Sequence, residues 1–116
     1  MQALERRKLR ADAVDRGWRY LQNDDLRNAD REFAVALTRA PELYPAHAGT
    51  GYVALARRDH ERALEGFDAA LRRAPLYVPA LVGRGQTLLA LNRDEEALAA
   101  IEAALAADDS LIELRR

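Results

Sequence analysis

Apolar and polar positions along this chain follow the period of a helix, and the pattern itself recurs. Ala29, Phe33, Ala36 and Leu37 fall at i, i+4, i+7 and i+8, which places them on one helical face. The same face returns as Ala63, Phe67, Ala70 and Leu71, and again as Ala97, Ile101, Ala104 and Leu105. A second amphipathic segment precedes each of these, over roughly residues 11–22, 45–57 and 79–91. Polar turns separate the two segments of each pair: Asn23-Asp24-Asp25, Arg58-Asp59 and Asn92-Arg93. Asp25 and Asp59 stand where an N-cap carboxylate accepts from the free amides of the next helix. Asn92 suits the left-handed conformation that closes a preceding helix. Pro41 and Pro75 lie just past the second segment of their pairs and stop it. Ser110, ahead of Leu111-Ile112, reads as the N-cap of one more helix.

The pattern is an internal repeat. Gly17, Gly51 and Gly85 stand 34 residues apart, as do Ala29, Ala63 and Ala97. Phe33, Phe67 and Ile101 keep that interval, and so do Ala36, Ala70 and Ala104. Pro41 and Pro75 make a fifth column, with Asp109 in the third place. Small residues in these columns let two helices approach closely, and the Phe33 column fills the space between pairs. One helix pair cannot cover its apolar side alone, so pairs stack into a solenoid.

These columns carry a resemblance to the tetratricopeptide repeat (TPR) family over roughly residues 10 to 112. The glycine, alanine, aromatic, alanine and proline columns all match, and Tyr20 matches the family's tyrosine, replaced later by Ala54 and Leu88. The chain departs where the family carries tryptophan, with Ala13, His47 and Leu81. It departs again at the family's leucine, with Arg16, Thr50 and Arg84. The resemblance implies an all-α fold: a right-handed superhelical solenoid of antiparallel helix pairs forming a single domain, residues 1–116. Repeats are expected at about 10–43, 44–77 and 78–111, with 112–116 beginning a truncated capping helix. Residues 1 to 9 would extend the first helix or end an earlier one. The brief last helix favours a fragment of a longer array over an end covered by another chain.

The resemblance further implies a concave face lined by the first helix of each pair. Its lining would be Ala11, Val14, Trp18, Leu21 and Gln22, then Pro45, Ala48, Tyr52, Leu55 and Ala56, then Pro79, Val82, Gln86, Leu89 and Ala90. This lining is largely apolar, with Trp18 and Tyr52 as two aromatic handles. Such rings bury much area and keep a polar tip; the competing reading is packing between neighbouring repeats. Some TPR domains hold a peptide's C-terminal carboxylate in a clamp of Lys, Asn and Arg. Those places here hold Val14, Trp18, Ala48, Gly49, Pro79 and Gly83, so that recognition is not expected. An extended apolar segment or an amphipathic helix suits the groove better.

Composition narrows the function classes. With 49% hydrophobic and 32% charged residues, the chain has a globular balance, and its net charge of −1 gives no global pull toward nucleic acid. There is no cysteine, hence no disulfide or cysteine metal site, and this leaves cytoplasm and periplasm both open. No apolar run reaches the ~20 residues a spanning helix needs. Gly49-Thr50-Gly51-Tyr52-Val53-Ala54 imitates a dinucleotide loop but lacks a preceding strand, and Gly83-Arg84-Gly85 ties the pair to the repeat. His47 and His60 stand 13 apart without ligand partners; His60 is expected to open a helix in solvent. Asp24-Asp25, Asp94-Glu95-Glu96 and Asp108-Asp109 sit near helix starts, where they complement the dipole. The arginine pairs Arg57-Arg58, Arg72-Arg73 and Arg115-Arg116 are a weak sign of RNA, given the balancing acids.

One asymmetry survives. Arg6, Arg7, Lys8, Arg10, Arg16 and Arg19 dominate residues 1–19, whereas residues 94–114 carry Asp94, Glu95, Glu96, Glu102, Asp108, Asp109 and Glu113 and no base. It suggests either solvated faces or head-to-tail self-association. The expectation is a non-enzymatic scaffold for a protein or peptide, with no cofactor, metal, nucleic acid or membrane insertion. The alternative is a structural segment of a larger TPR-containing protein, for example a bacterial envelope or secretion component, acting through its repeat ends.

Overall fold

A computed structural model describes residues 2–108, and all regular structure among them is helical. Six helices follow in order: α1 (Ala3–Gln22), α2 (Leu26–Arg39), α3 (Tyr44–Ala56), α4 (His60–Arg73), α5 (Val78–Ala90) and α6 (Asp94–Ala107). They pair as α1/α2, α3/α4 and α5/α6, and each pair packs on the next through α2 on α3 and α4 on α5. The expected further helix after Ser110 falls at residues 109–116, outside the described residues.

The turns within each pair are built alike. Asp24, Arg58 and Asn92 take left-handed φ values of 60°, 63° and 61°. In the first, the Asp25 amide donates to the Tyr20 carbonyl and the Asp24 amide to that of Leu21. Arg58 and Asp59 repeat this onto Leu55 and Ala54, and Asn92 and Arg93 onto Leu89 and Leu88. This double closure satisfies carbonyls that a helix end leaves bare. The residue that completes it is also the N-cap of the next helix, which makes the turn short. Asp25 and Asp59 accept from the amides of Asn28 and Arg62 as expected. Arg93 does not cap, and Asp94, Glu95 and Glu96 supply negative charge at that helix start instead. Pro45 and Pro79 open α3 and α5, where a missing N–H costs nothing.

The core repeats with the columns. Ala29, Ala63 and Ala97 are fully buried, as are Phe33 and Phe67. Each phenylalanine ring lies between two glycines of successive first helices. A Cβ on Gly17 would fall 2.6 Å from the Phe33 ring, and one on Gly49 would also collide with it. Gly51 and Gly83 hold Phe67 in the same way, with a Gly51 Cβ falling 2.8 Å from the ring. The two Gly-x-Gly pairs are therefore seats facing opposite ways: the first glycine backs onto the preceding phenylalanine, the second onto the large residue of its own repeat, Phe67 for Gly51 and Ile101 for Gly85. Ile101 takes the ring's place in the third pair and is only partly buried among the described residues.

Both departures from the family pattern have structural causes. Ala13 and Leu81 fill core space, and the His47 Nε2 lies 2.6 Å from the Pro41 carbonyl oxygen, to which it donates. Arg16 reaches across its helix pair to Glu32 at 2.9 Å, and Arg84 reaches back to Asp68 at 2.9 Å. His60 corrects an expectation: it opens α4 but is partly buried, and its Nδ1 is shut from solvent without a hydrogen-bond partner.

Candidate functional site

First helices and second helices meet their own kind differently. α1 touches α3 and α3 touches α5, whereas α2, α4 and α6 do not touch one another among the described residues. The first helices thus form a closed inner layer, and the second helices fan out behind it. The inner layer's outward surface is the candidate site.

Its centre is a ladder of rings. Trp18 meets Phe33 edge to face, with centroids 5.6 Å apart. Trp18 also meets Tyr52 at 5.8 Å, and Tyr52 meets Phe67 at 4.9 Å. The ladder thus runs from one buried phenylalanine to the next through two partly exposed rings. Perpendicular pairs of this kind suit the aromatic quadrupole and fix ring orientation. The Tyr52 hydroxyl donates to the Pro79 carbonyl at 2.6 Å, tying α3 to α5. Burial pushes the Tyr52 phenol up to about 12; the Tyr77 phenol adds to this, and the Gly83 backbone opposes it. The phenol is neutral and donating at any physiological pH. The sequence offered groove exposure and inter-repeat packing as rival readings of Trp18 and Tyr52; both rings pack between repeats and stay partly exposed.

The other lining residues divide by burial. Ala11, Gln22 and Gln86 are exposed, and Leu89 is 49% exposed. Val14, Leu21, Leu55 and Val82 are partly covered. Ala48 is a correction: it is fully buried in the cluster around Phe67 and presents no surface. A helix this close to its neighbours turns its small residues into the contact, so Ala48 sets spacing only. At the third pair, Gln86 follows Trp18 and Tyr52 in register, and the aromatic row ends.

Two of the six positions at which a cationic clamp would stand are closed to side chains. Of the positions that would carry it, Gly49 and Gly83 are occupied by the seats of Phe33 and Phe67, where a side chain collides with the ring. Among the described residues no group of three His, Cys, Asp or Glu side chains is arranged to hold a metal ion. Nor is any described helix long and apolar enough to cross a membrane. A second ring pair, Tyr44 and Tyr77 at 4.8 Å, lies at the start of α3 and α5. The sequence reading missed it, and also missed the Arg16–Glu32 and Arg84–Asp68 pairs. The 16-residue spacing of opposite charges on consecutive helices, α1 to α2 in one case and α4 to α5 in the other, was their available signal.

A stack of helix pairs with a closed inner layer and glycine-seated rings defines a helical-repeat solenoid. A family model described as Tetratricopeptide repeat matches residues 14–77 and 49–112, and the chain belongs to that family. No curated protein sequence matches it. Among solved structures, the TPR2B domain of yeast Sti1 in complex with pHsp70 is 20% identical, with a TM-score of 0.81 over 91% of this chain and 85% of that one. The second TPR of Spaghetti (RPAP3), bound to an HSP90 peptide, is 18% identical, with a TM-score of 0.82 over 93% of this chain and 100% of that one. Pseudomonas aeruginosa pilF is 26% identical, with a TM-score of 0.83; the match covers 92% of this chain but 47% of that one. The first two likenesses are of fold.

Proposed function

We propose that this chain is a protein-interaction scaffold that holds a polypeptide segment on the face of α1, α3 and α5. The observation that carries this reading is the ring ladder. Trp18 and Tyr52 are partly exposed yet held by neighbours on both sides, so little rotamer freedom is lost when a partner packs on them. Leu55, Val82 and Leu89 extend the apolar surface from them. On the same fold, the RPAP3 domain holds an HSP90 peptide and the Sti1 domain is in complex with pHsp70. The seated glycines here leave no room for charged clamp residues, which favours an apolar extended or helical segment over a charged tail. A peptide-display selection against the intact chain tests this. Enriched apolar segments should shift the emission of Trp18, the chain's only tryptophan, and lose binding to Leu89→Asp while its thermal melt is unchanged. Peptides that bind Leu89→Asp equally and leave Trp18 emission unmoved would refute it.

A second reading, assembly through the repeat ends, rests on charge. α1 begins with Arg6, Arg7, Lys8 and Arg10, whereas α6 carries Asp94, Glu95, Glu96 and Glu102 and no base. α6 packs on α5 alone among the described residues, and Leu98 is 57% exposed. Head-to-tail association would bring these ends together, and salt would weaken it. Sedimentation at low and high ionic strength decides: a strict monomer at high concentration and low salt ends this reading.

A further inference from the structure

The repeat allows the two junctions to be superimposed residue by residue, and they differ at the start of their first helices. At the second junction the rings of Tyr44 and Tyr77 pack edge to face at the starts of α3 and α5, where Ala48 and Pro79 also stand. Thirty-four residues earlier, the same places hold Arg10, Leu43, Val14 and Pro45. There the structure has an open cleft of about 400 Å³, lined by these four together with Ala11, Arg7 and Asp15. Its volume lies within the ~300–1,000 Å³ common for small-ligand sites. The walls are mostly apolar. Arg7 and Arg10 form no ion pair among the described residues, and they outnumber the one carboxylate present, Asp15.

We propose that this cleft takes an aromatic side chain of the partner segment, with a carboxylate beside it directed at Arg7 and Arg10. Two observations converge on that occupant. The equivalent site is filled by aromatic rings from the chain itself, so the backbone at this junction already has the shape that rings fit. The unpaired guanidinium groups at the rim supply a charge that a carboxylate complements. The cleft continues the surface that carries Val14 and Trp18, so the partner would be one segment lying along both. The inference rests on the reading of that surface as a peptide interface, and it names the chemistry at its first end.

The probe is 3-phenylpropionate, a ring and a carboxylate on a short tether, titrated into the isotope-labelled full chain and followed by amide NMR shifts. The shifts should centre on Ala11, Val14 and Leu43. The acid should bind at least fivefold more tightly than the neutral 3-phenylpropanol, and the advantage should shrink with salt. Arg7→Ala with Arg10→Ala should reduce the acid to the alcohol's affinity. Arg10→Tyr with Leu43→Tyr rebuilds the ring pair of the second junction and should abolish binding of both probes while the melt holds or rises. The proposal is overturned if the shifts fall elsewhere, if the alcohol binds as well as the acid, or if the ring-filled variant binds unchanged. Should display-selected peptides still bind through Leu89 while the probe fails, the cleft assignment falls and the interface reading stands.

Discussion

At the first junction Phe33 lies between Gly17 and Gly49; at the second, Phe67 lies between Gly51 and Gly83. The buried halves of the two junctions are nearly interchangeable. Their rims are not. The second is closed by the Tyr44–Tyr77 pair and by the Tyr52 hydroxyl on Pro79, whereas the first has Arg10 and Leu43 around an open cleft. Repetition governs what water never reaches, because each pair must fit the same neighbour. At the rim that constraint lapses, and single residues decide what a surface can hold.

The largest test of this contrast is removal of the rings. Phe33→Ala and Phe67→Ala should each cost about 3–5 kcal/mol, as full burial predicts. Their losses should agree with each other, measured by urea unfolding. Ile101→Ala should cost less, about 2 kcal/mol, because Ile101 is only partly buried among the described residues. A loss at Phe33 much smaller than at Phe67 would mean that the open rim has loosened the first core as well.

Gly66 tests a place where the units differ inside. A Cβ there would lie 2.8 Å from the Cα of Gly51, which is backbone and has no rotamer to yield. The third pair carries Ala100 in that register, so α5 and α6 leave room for a methyl group that α3 and α4 do not. Gly66→Ala gains helix propensity of about 1 kcal/mol, but overpacking costs about 1–3. The net expectation is a lower melting temperature. A higher one would show that the α3/α4 pair separates freely.

The 34-residue columns made the fold legible, because Ala29, Phe33 and Ala36 are dictated by packing and packing repeats. The Asp25 and Asp59 caps and the turn at Asn92 were legible for a local reason: each acts within a few residues of itself. The candidate site was less so. Ala48 shares its helical register with the partly exposed Val14 and Val82, and only the closeness of α3 to its neighbours buries it. Tyr52 reaches a carbonyl 27 residues away, and that carbonyl belongs to a proline whose sequence role is to start a helix. The cleft could not be read as an absence until the tyrosine pair showed what fills its counterpart.

Tyr52→Phe removes one rim tie of the second junction and keeps the ring. It should cost about 0.5–1.5 kcal/mol for the lost hydrogen bond. The same variant reports on pH. Folding raises the phenol from its ordinary 10 to about 12. Its stabilisation is therefore complete below pH 10 and lost as pH rises toward 12, because the unfolded chain ionises first. Alkaline unfolding of the parent should show this loss, and Tyr52→Phe should flatten it. If the parent's phenols all titrate near 10 by ultraviolet absorbance, the hydroxyl does not join α3 to α5.

The smallest expected effect concerns the turns, where repetition holds in shape but not in residue. Asp24, Arg58 and Asn92 share one left-handed geometry, yet only Asp and Asn adopt it readily, through local hydrogen bonding by a short side chain. Arg58 is exposed and makes no ion pair among the described residues, so its side chain does nothing to offset the conformation beyond the backbone bonds that all three turns share. Arg58→Asn should therefore stabilise the chain, by roughly half of the ~1–2 kcal/mol that the left-handed conformation costs an ordinary residue. Asn92→Arg, the reverse exchange one unit later, should destabilise it by a similar amount. Equal and opposite shifts in the two melts would show that the turns are energetically the same device. A gain at Arg58 without the matching loss at Asn92 would mean that the second and third pairs close differently, and the contrast between units would then extend from the rims to the turns.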